Sequence, residues 1–205
     1  AVPSWKIFPA LVCGNTVVLK PAEEAPLSAV NFVQPLADAG IPAGVVNLVT
    51  GDGAGAGAPL VAHPGVRVVS FTGSTVTGRA VNEAAAPLFK KVHLEMGGKN
   101  VIIVLDDADL ELAVDGCLWG GFGTTGQRCT AASRVVVQKG IYRPFMDAFV
   151  ARAKSLKVGN GLDPSVQMGP SISEVQLTKV IEYVAIGQAE GATLLLVHHQ
   201  LVQEL

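Results

Sequence analysis

The sequence predicts an α/β protein built on parallel β-structure. In its first half, short runs of β-branched and apolar residues alternate with segments of helical periodicity, which is the order that a parallel sheet requires. Each run is preceded or followed by Gly or Pro, so short strands that end at tight turns are expected. The same alternation resumes after Gly97 and Gly98, which indicates that a second α/β unit begins there.

In the first half, strands are expected at residues 17–20, 45–49, 66–71 and 92–95, with helices at about 26–39, 54–62 and 74–86. Pro35 should kink or shorten the first of these helices. In the second half, strands are expected at 101–105 and 134–138. An amphipathic helix between them has the apolar stripe Leu110, Ala113, Val114 and Cys117, which predicts that Cys117 lies in the core.

Two further helices follow in the second half. Pro144 marks the first turn of a helix that runs to about residue 153. Ser173 and Gln176 form a capping box before the last helix.

The composition is that of a globular protein with no nucleic-acid or membrane partner. The 205 residues include 49% hydrophobic residues, enough to bury a sizeable core, which excludes disorder. Fifteen Lys and Arg against 17 Asp and Glu give a net charge of -2, so neither a basic nucleic-acid footprint nor a cationic amphipathic membrane face is expected.

The three cysteines, Cys13, Cys117 and Cys129, are an odd number without a Cys-x-x-Cys pair. This pattern argues against a disulfide framework and a structural zinc site, and it favours a reducing, cytoplasmic location. No apolar run is long enough to span a membrane, and nothing at the start marks export. Because the first residue is not Met, a piece of a longer chain is expected.

Two glycine-containing turns are candidates for phosphate contact. Gly53, Gly55 and Ala58 have the G-x-G-x-x-A spacing of a dinucleotide fingerprint, but the acidic residue expected about 20 residues later is absent. At residues 71–78, Ser74 is a good N-cap, and the first turn of its helix could hold a diphosphate. An ordinary capped helix is the alternative at Ser74.

Lys20 ends a predicted buried strand and Glu23 follows shortly after it, at the strand end where ligands of open α/β sheets bind. Both side chains could bind ribose hydroxyls, and the carboxylate would repel a 2′-phosphate, so the pair would favour NAD over NADP. A solvated surface pair is the alternative.

Glu95 and Cys129 are candidates for chemistry. Glu95 lies where an apolar strand meets two glycines, and partial removal from water would make it a usable general base. Cys129 follows a flexible polar loop and Arg128, surroundings that can favour a reactive thiolate. A surface acid and an inert buried thiol are the alternatives, although Cys13 and Cys117 suit an inert thiol better than Cys129 does.

Four motifs, in this order, resemble the NAD(P)-dependent aldehyde dehydrogenase superfamily. They are Leu-Lys-Pro-Ala-Glu at 19–23, Phe-Thr-Gly-Ser at 71–74, Leu-Glu-Met-Gly-Gly at 94–98 and Gly-Gln-Arg-Cys at 126–129. The resemblance covers about residues 5–196, and the separation of 34 residues between Glu95 and Cys129 is close to the spacing in that family.

The resemblance implies that Cys129 is the nucleophile, that its backbone N–H stabilises the oxyanion and that Glu95 activates the hydrolytic water. It implies NAD, in preference to NADP, as cofactor. It also places the diphosphate at the Ser74 helix, which argues against Gly53, Gly55 and Ala58 as a dinucleotide fingerprint. The cofactor-binding residues that it implies are Lys20, Glu23, Gly51, Phe71, Gly73, Ser74 and Gly97.

The implied organisation is an N-terminally truncated, Rossmann-like NAD-binding domain at 1–97 and the first part of an α/β catalytic domain at 98–196. The family's upstream aromatic-Asn segment and downstream Glu-Phe-Gly-Pro motif are not in this sequence, so a fragment with weak or no activity is expected. Residues 197–205 form an atypical tail, for which a junction, a frameshift product and a vector remnant are the alternatives, and His198 and His199 are not expected to bind metal.

The implied substrate is a small aldehyde, and residues 122–134 look most like bacterial semialdehyde dehydrogenases. Arg128 could attract an acidic substrate or simply hold its loop. The full-length protein is expected to be a homo-oligomer, a dimer or tetramer. The rival interpretation is a non-catalytic dinucleotide-binding or structural module in which Cys129 has no function.

Overall fold

The computed structural model describes residues 1–196 and divides into two compact units. The first unit is Ala1–Gly97, and the second begins at Gly98. The predicted α/β class is confirmed, because the named strands of the described chain pair in parallel. Within residues 1–196 no helix is both long and apolar enough for a membrane span. The atypical tail with His198 and His199 lies outside the described residues.

The first unit alternates helices and strands. Its elements are α1 (Val2–Val12), β1 (Val17–Leu19), α2 (Pro26–Asp38), β2 (Val46–Leu48), α3 (Ala58–Ala62), β3 (Val68–Gly73), α4 (Thr75–Ala85) and β4 (Lys91–Met96). β1 pairs with β2 and β3 pairs with β4, and each pair is a separate two-stranded sheet. Because paired parallel strands end at the same edge, the residues that follow β1 and β2 come together, as do those that end β3 and β4.

Two features of the helices differ from the sequence prediction. Helix α1 was not predicted, because Pro3 and Pro9 mask its periodicity, although Pro3 occupies the first turn, where proline is tolerated. Ile7 is 1% exposed and anchors this helix. Helix α2 continues through Pro35, which lies in its last turn, where the missing N–H affects little of the helix.

The second unit has one main apolar core. Its elements are β5 (Asn100–Val104), α5 (Leu110–Phe122), β6 (Ala132–Val137), α6 (Tyr142–Lys154) and α7 (Glu174–Ala189). The core residues are Val104, Val114, Cys117, Ile141 and Phe145. The prediction for Cys117 is therefore confirmed, and the Ser173 hydroxyl caps α7 by accepting a hydrogen bond from the Gln176 N–H at 3.3 Å.

Candidate functional site

Lys20 joins the ends of β1 and β2. Its ammonium donates hydrogen bonds to the carbonyl oxygens of Pro21 at 2.6 Å and Gly51 at 3.0 Å, and it pairs with the Glu23 carboxylate at 3.4 Å. The Glu23 side chain is 55% exposed, so its carboxylate remains open to a ligand. The structure thus brings together Lys20, Glu23 and Gly51, three of the cofactor-binding residues that the family resemblance implies.

The glycine tract after β2 folds as a helical turn, with Gly53–Gly57 in a π-helical conformation that runs into α3. The Asp52 carboxylate caps it by accepting a hydrogen bond from the Gly55 N–H. Gly51 has φ +143°, and a Cβ there would lie 2.9 Å from the Ala56 Cβ. A glycine is therefore required at Gly51 by the backbone and by its close neighbour.

The β3 end carries Phe71, Gly73 and the cap of α4. A Cβ on Gly73 would lie 2.5 Å from the Phe71 ring, so a larger residue there would require the ring to move. The Ser74 hydroxyl accepts a hydrogen bond from the Thr77 N–H at 3.1 Å, which confirms that Ser74 is the N-cap. The N–H groups of Thr75 and Val76 precede the first backbone bond of the helix, from the Gly78 N–H to the Ser74 carbonyl oxygen at 2.8 Å, so the turn offers donors to an anion.

Glu95 lies on β4 directly opposite Thr72 of β3, beside the Phe71–Gly73 edge. The residue is exposed, which agrees with the surface-acid alternative and not with partial removal from water. The reason is that β4 alternates its faces and turns Glu95 away from the partly buried side that carries Val92 and Leu94.

Lys6 is a neighbour of Glu95 that sequence analysis missed. Its ammonium donates to the Ser70 hydroxyl at 2.6 Å and to the Phe71 carbonyl oxygen at 3.3 Å. Burial lowers the pKa of Lys6, while the Glu95 carboxylate acts in the opposite direction and raises it. No local motif could identify this contact, because Lys6 comes from α1, which the sequence analysis did not predict.

Gly97 ends the first unit two residues beyond Glu95. It is exposed, and apart from Gly97 and its two chain neighbours no described atom lies within 4 Å of the position that a Cβ would occupy. Steric crowding in the described chain therefore does not explain a glycine at this position.

Cys129 belongs to the second unit and lies on the exposed loop between α5 and β6. Cys117 is buried, and burial raises the pKa of its thiol. Cys13 is exposed, so the suggestion that it suits a buried thiol is wrong. Cys13 follows the last residue of α1, beyond the stretch that Ile7 anchors.

Arg128 points its guanidinium back onto α5. Its Nη2 donates to the Trp119 carbonyl oxygen at 2.9 Å, and its Cζ lies 4.7 Å from the centroid of the Trp119 ring. Both contacts use the guanidinium to hold the loop. This geometry favours the loop-holding alternative over attraction of an acidic substrate.

Three consecutive residues before Cys129 have left-handed backbone. Thr124, Thr125 and Gly126 have φ of 53°, 58° and 65°. A threonine is strained in this region because its Cβ is branched, and a Cβ at Gly126 would lie 2.8 Å from the Gly121 carbonyl oxygen. The loop conformation is therefore imposed by its surroundings.

The segment after α6 supplies part of that restraint. The Thr125 hydroxyl donates to the Gly169 carbonyl oxygen at 3.0 Å. The Gln127 side-chain oxygen accepts from the Ile172 N–H at 3.0 Å, and its Nε2 donates to the Pro170 carbonyl oxygen at 3.5 Å. These bonds hold the loop at Thr125 and at Gln127, four and two residues before Cys129.

Asn100, the first residue of β5, also contacts the loop and was missed by sequence analysis. Its Nδ2 donates to the carbonyl oxygens of Cys129 at 2.7 Å and Ala131 at 3.2 Å. Within residues 1–196, no group of three or more His, Cys, Asp or Glu side chains could hold a metal ion.

Parallel strands that carry polar groups and a capped helix at their carboxyl ends define an α/β protein of the type that binds small molecules at strand ends. The family model that matches this chain is the aldehyde dehydrogenase family, over residues 1–204. The chain belongs to the aldehyde dehydrogenase family.

The chain resembles much longer proteins. It is 48% identical to the alpha-ketoglutaric semialdehyde dehydrogenase of Bacillus subtilis, over 96% of this chain and 40% of that protein. It is 47% identical to the betaine aldehyde dehydrogenase of Rhizobium leguminosarum bv. trifolii, over 94% of this chain and 39% of that protein. The chain thus spans about 40% of the length of the curated relatives it matches.

A solved structure with a similar fold is that of a betaine aldehyde dehydrogenase double mutant from Staphylococcus aureus, in complex with NAD+ and with a BME-modified cysteine. It is 42% identical to this chain and has a TM-score of 0.90, over 95% of this chain and 39% of that chain.

Proposed function

We propose that this chain is the cofactor-binding and nucleophile-bearing part of an NAD-dependent aldehyde dehydrogenase that oxidises an aldehyde to a carboxylic acid. The observation that carries this proposal is the convergence of Phe71, Gly73, Ser74 and Glu95 on one edge of the β3–β4 pair. A candidate base then lies beside a candidate dinucleotide site, as oxidation followed by hydrolysis requires. We assign residues 1–97 to an NAD-binding domain and 98–196 to part of a catalytic domain.

The residues present fit NAD. Lys20 and the exposed Glu23 carboxylate offer a donor and an acceptor to vicinal ribose hydroxyls, next to Gly51. The first turn of α4 offers N–H donors to the diphosphate, beside Gly73 and the Phe71 ring. We assign Gly97 to the nicotinamide side by family resemblance alone.

The proposed reaction uses two residues of the chain in turn. The Cys129 thiolate attacks the aldehyde carbon to form a C–S bond, and the Cys129 backbone N–H donates to the resulting oxyanion. When bound, NAD+ supplies the acceptor for the hydride that leaves that carbon. Glu95 then removes a proton from water, which attacks the thioester, breaks the C–S bond and releases the carboxylic acid and the thiol.

The substrate is proposed to be a semialdehyde, by similarity to the Bacillus subtilis alpha-ketoglutaric semialdehyde dehydrogenase. The betaine aldehyde dehydrogenases among the relatives make betaine aldehyde the comparison substrate. For the whole protein we propose a cytoplasmic homo-oligomer with a small-molecule aldehyde as its partner.

We also propose that these 205 residues alone turn over aldehyde poorly. In the proposed reaction they supply one oxyanion donor, the Cys129 backbone N–H, whereas the family resemblance implies a second, the Asn amide of the upstream aromatic-Asn segment. The loss of one such donor costs about 10² to 10³ in rate where measured. The test is NADH formation with both aldehydes, for the parent chain and for Cys129→Ala. Rapid turnover that depends on Cys129 would contradict weak activity while supporting the nucleophile.

Cofactor binding and thiol reactivity are tested separately from turnover. NAD+ should raise the melting temperature of the chain, because a ligand that binds only the folded state stabilises it. Iodoacetamide should label Cys129 faster than the exposed Cys13, which serves as an internal reference. No rise with NAD+ would contradict the cofactor site, and equal labelling would favour the non-catalytic module.

A further inference from the structure

The backbone around Cys129 is held from its C-terminal side by Asn100. An asparagine side-chain amide has two N–H donors, and here both are directed at the loop, toward the carbonyl oxygens of Cys129 at 2.7 Å and Ala131 at 3.2 Å. One side chain therefore fixes the peptide after the thiol and a second peptide two residues later.

A break in the strand pairing explains why a side chain is needed there. Asn100 pairs with Ala132, whereas Val101 pairs with Arg134, so Ser133 is an extra residue on β6. Such a bulge interrupts the backbone hydrogen bonds of the ladder. It does so where the Cys129 loop enters the strand, and the Asn100 amide supplies hydrogen bonds that regular pairing would otherwise provide.

Arg128 holds the same loop from the N-terminal side. Its guanidinium bonds the Trp119 carbonyl oxygen at 2.9 Å and lies over the Trp119 ring. The Cys129 residue is thus placed between one anchor on α5 and one on β5. The strained Thr124 and Thr125 backbone upstream means that the loop would not hold this conformation by its own preference.

We propose that Asn100 and Arg128 are positioning residues that act as a two-sided bracket on the Cys129 peptide. The proposal rests on the proposed role of Cys129 as nucleophile. By fixing the peptides on both sides of Cys129, the bracket orients its backbone N–H together with its thiol. The N–H then meets the oxyanion that forms when the thiolate attacks a carbonyl carbon.

Two reagents separate positioning from simple thiol reactivity. With p-nitrophenyl acetate, the thiolate attacks the ester carbon, an oxyanion forms, and the C–O bond to p-nitrophenolate breaks to leave a thioester. With iodoacetamide, the thiolate displaces iodide and no oxyanion forms. The ratio of acylation to alkylation at one cysteine therefore reports the alignment of thiol and N–H, and peptide mass spectrometry reads each cysteine separately.

The variants are Asn100→Leu, which keeps the size and removes the donors, and Asn100→Gln, which retains an amide donor. Asn47→Leu is the matched control. Asn47 lies on β2 of the first unit, and its Nδ2 also donates to two carbonyl oxygens, those of Gly44 at 2.8 Å and Val17 at 3.3 Å. Cys13 is the exposed reference, and the buried Cys117 reports unfolding.

In the parent chain we expect Cys129 to have a higher acylation-to-alkylation ratio than Cys13. Asn100→Leu should lower this ratio at Cys129 by about three- to tenfold, the range that one or two neutral hydrogen bonds can supply. Asn100→Gln should restore part of it, and Asn47→Leu should leave it unchanged.

The two hypotheses fail differently. Equal ratios at Cys129 and Cys13 in the parent would overturn the nucleophile and, with it, the bracket. A high parent ratio that Asn100→Leu leaves intact would overturn the bracket alone. If Cys117 becomes open to alkylation in Asn100→Leu, that variant has unfolded and Arg128→Gln is used instead. A lowered acylation-to-alkylation ratio at Cys129 in Arg128→Gln supports the bracket, and an unchanged ratio overturns it.

Discussion

The Lys20 ammonium donates a hydrogen bond to the Gly51 carbonyl oxygen, 3.0 Å away, and so ties the end of β1 to the turn that follows β2. The lysine side chain is only 18% exposed, and the Glu23 carboxylate lies 3.4 Å from the same nitrogen. The interaction has a structural part, the closure of this edge, and a proposed functional part, the contact with ribose.

Lys20→Met should weaken NAD+ binding by roughly tenfold, because a hydrogen bond to a charged donor is lost at the proposed ribose site. Isothermal titration calorimetry of the chain measures the affinity. The matched control is Lys179→Met on α7, which should bind NAD+ like the parent. Equal affinities for both variants would remove Lys20 from the cofactor site.

Glu23→Thr should shift the preference from NAD toward NADP. The substitution removes a carboxylate that repels a 2′-phosphate and leaves a small hydroxyl in its place. We expect the ratio of the two dissociation constants to change by about tenfold, the equivalent of about 1.4 kcal/mol. Glu24→Thr alters the adjacent exposed acid and should leave the ratio unchanged. A shift of the same size in Glu24→Thr would point to net charge rather than to Glu23.

Ser74→Ala should destabilise the chain by about 1 kcal/mol, because the hydroxyl caps the Thr77 N–H. Ser74→Asp keeps a capping oxygen but places a negative charge where the diphosphate is proposed to bind. It should therefore keep most of the stability and lose NAD+ affinity. Urea unfolding and calorimetry measure the two effects.

Ser173→Ala is the control for Ser74→Ala, because Ser173 caps α7 in the same way. It should cost similar stability without a change in NAD+ affinity. If Ser74→Asp binds NAD+ as well as the parent does, the diphosphate is not at α4.

Cys117 should make stability fall at high pH. Burial raises the pKa of its thiol, so the folded state holds the thiol proton more tightly than the unfolded state does. This contribution is present below the ordinary thiol pKa near 9.0 and is lost as pH rises toward and through the raised value. Urea unfolding of the parent and of Cys117→Ala at about pH 8 and about pH 10 should show the stability advantage of the parent shrinking. An advantage that stays constant would contradict this expectation.

Local signals in the sequence predicted most helices and strands, although not α1, and they predicted where several residues lie. β-Branched runs gave the strands, the Ser74 and Ser173 caps gave two helix starts, and the apolar stripe gave the burial of Cys117. These features depend on a few adjacent residues, whose pattern directly determines the conformation.

The contacts that build the site depend on tertiary structure and could not be predicted in this way. Lys6 reaches Phe71 across 65 positions, and Asn100 reaches Cys129 across 29. Neither pair has a local pattern. The sequence left both partial burial and a surface position open for Glu95, because residue order identifies the strand, whereas the face of the strand that packs depends on its partners.

The left-handed Thr124 and Thr125 have a consequence for genetics. Such backbone costs of order 1–3 kcal/mol per residue, so the loop keeps its form only while outside contacts restrain it, and one of those contacts is the carbonyl of Gly169, 44 positions away. In a mutational screen, substitutions around Gly169 should therefore reduce function as substitutions beside Cys129 do. A map of function along this chain would then show a second peak at a place that carries no reactive group.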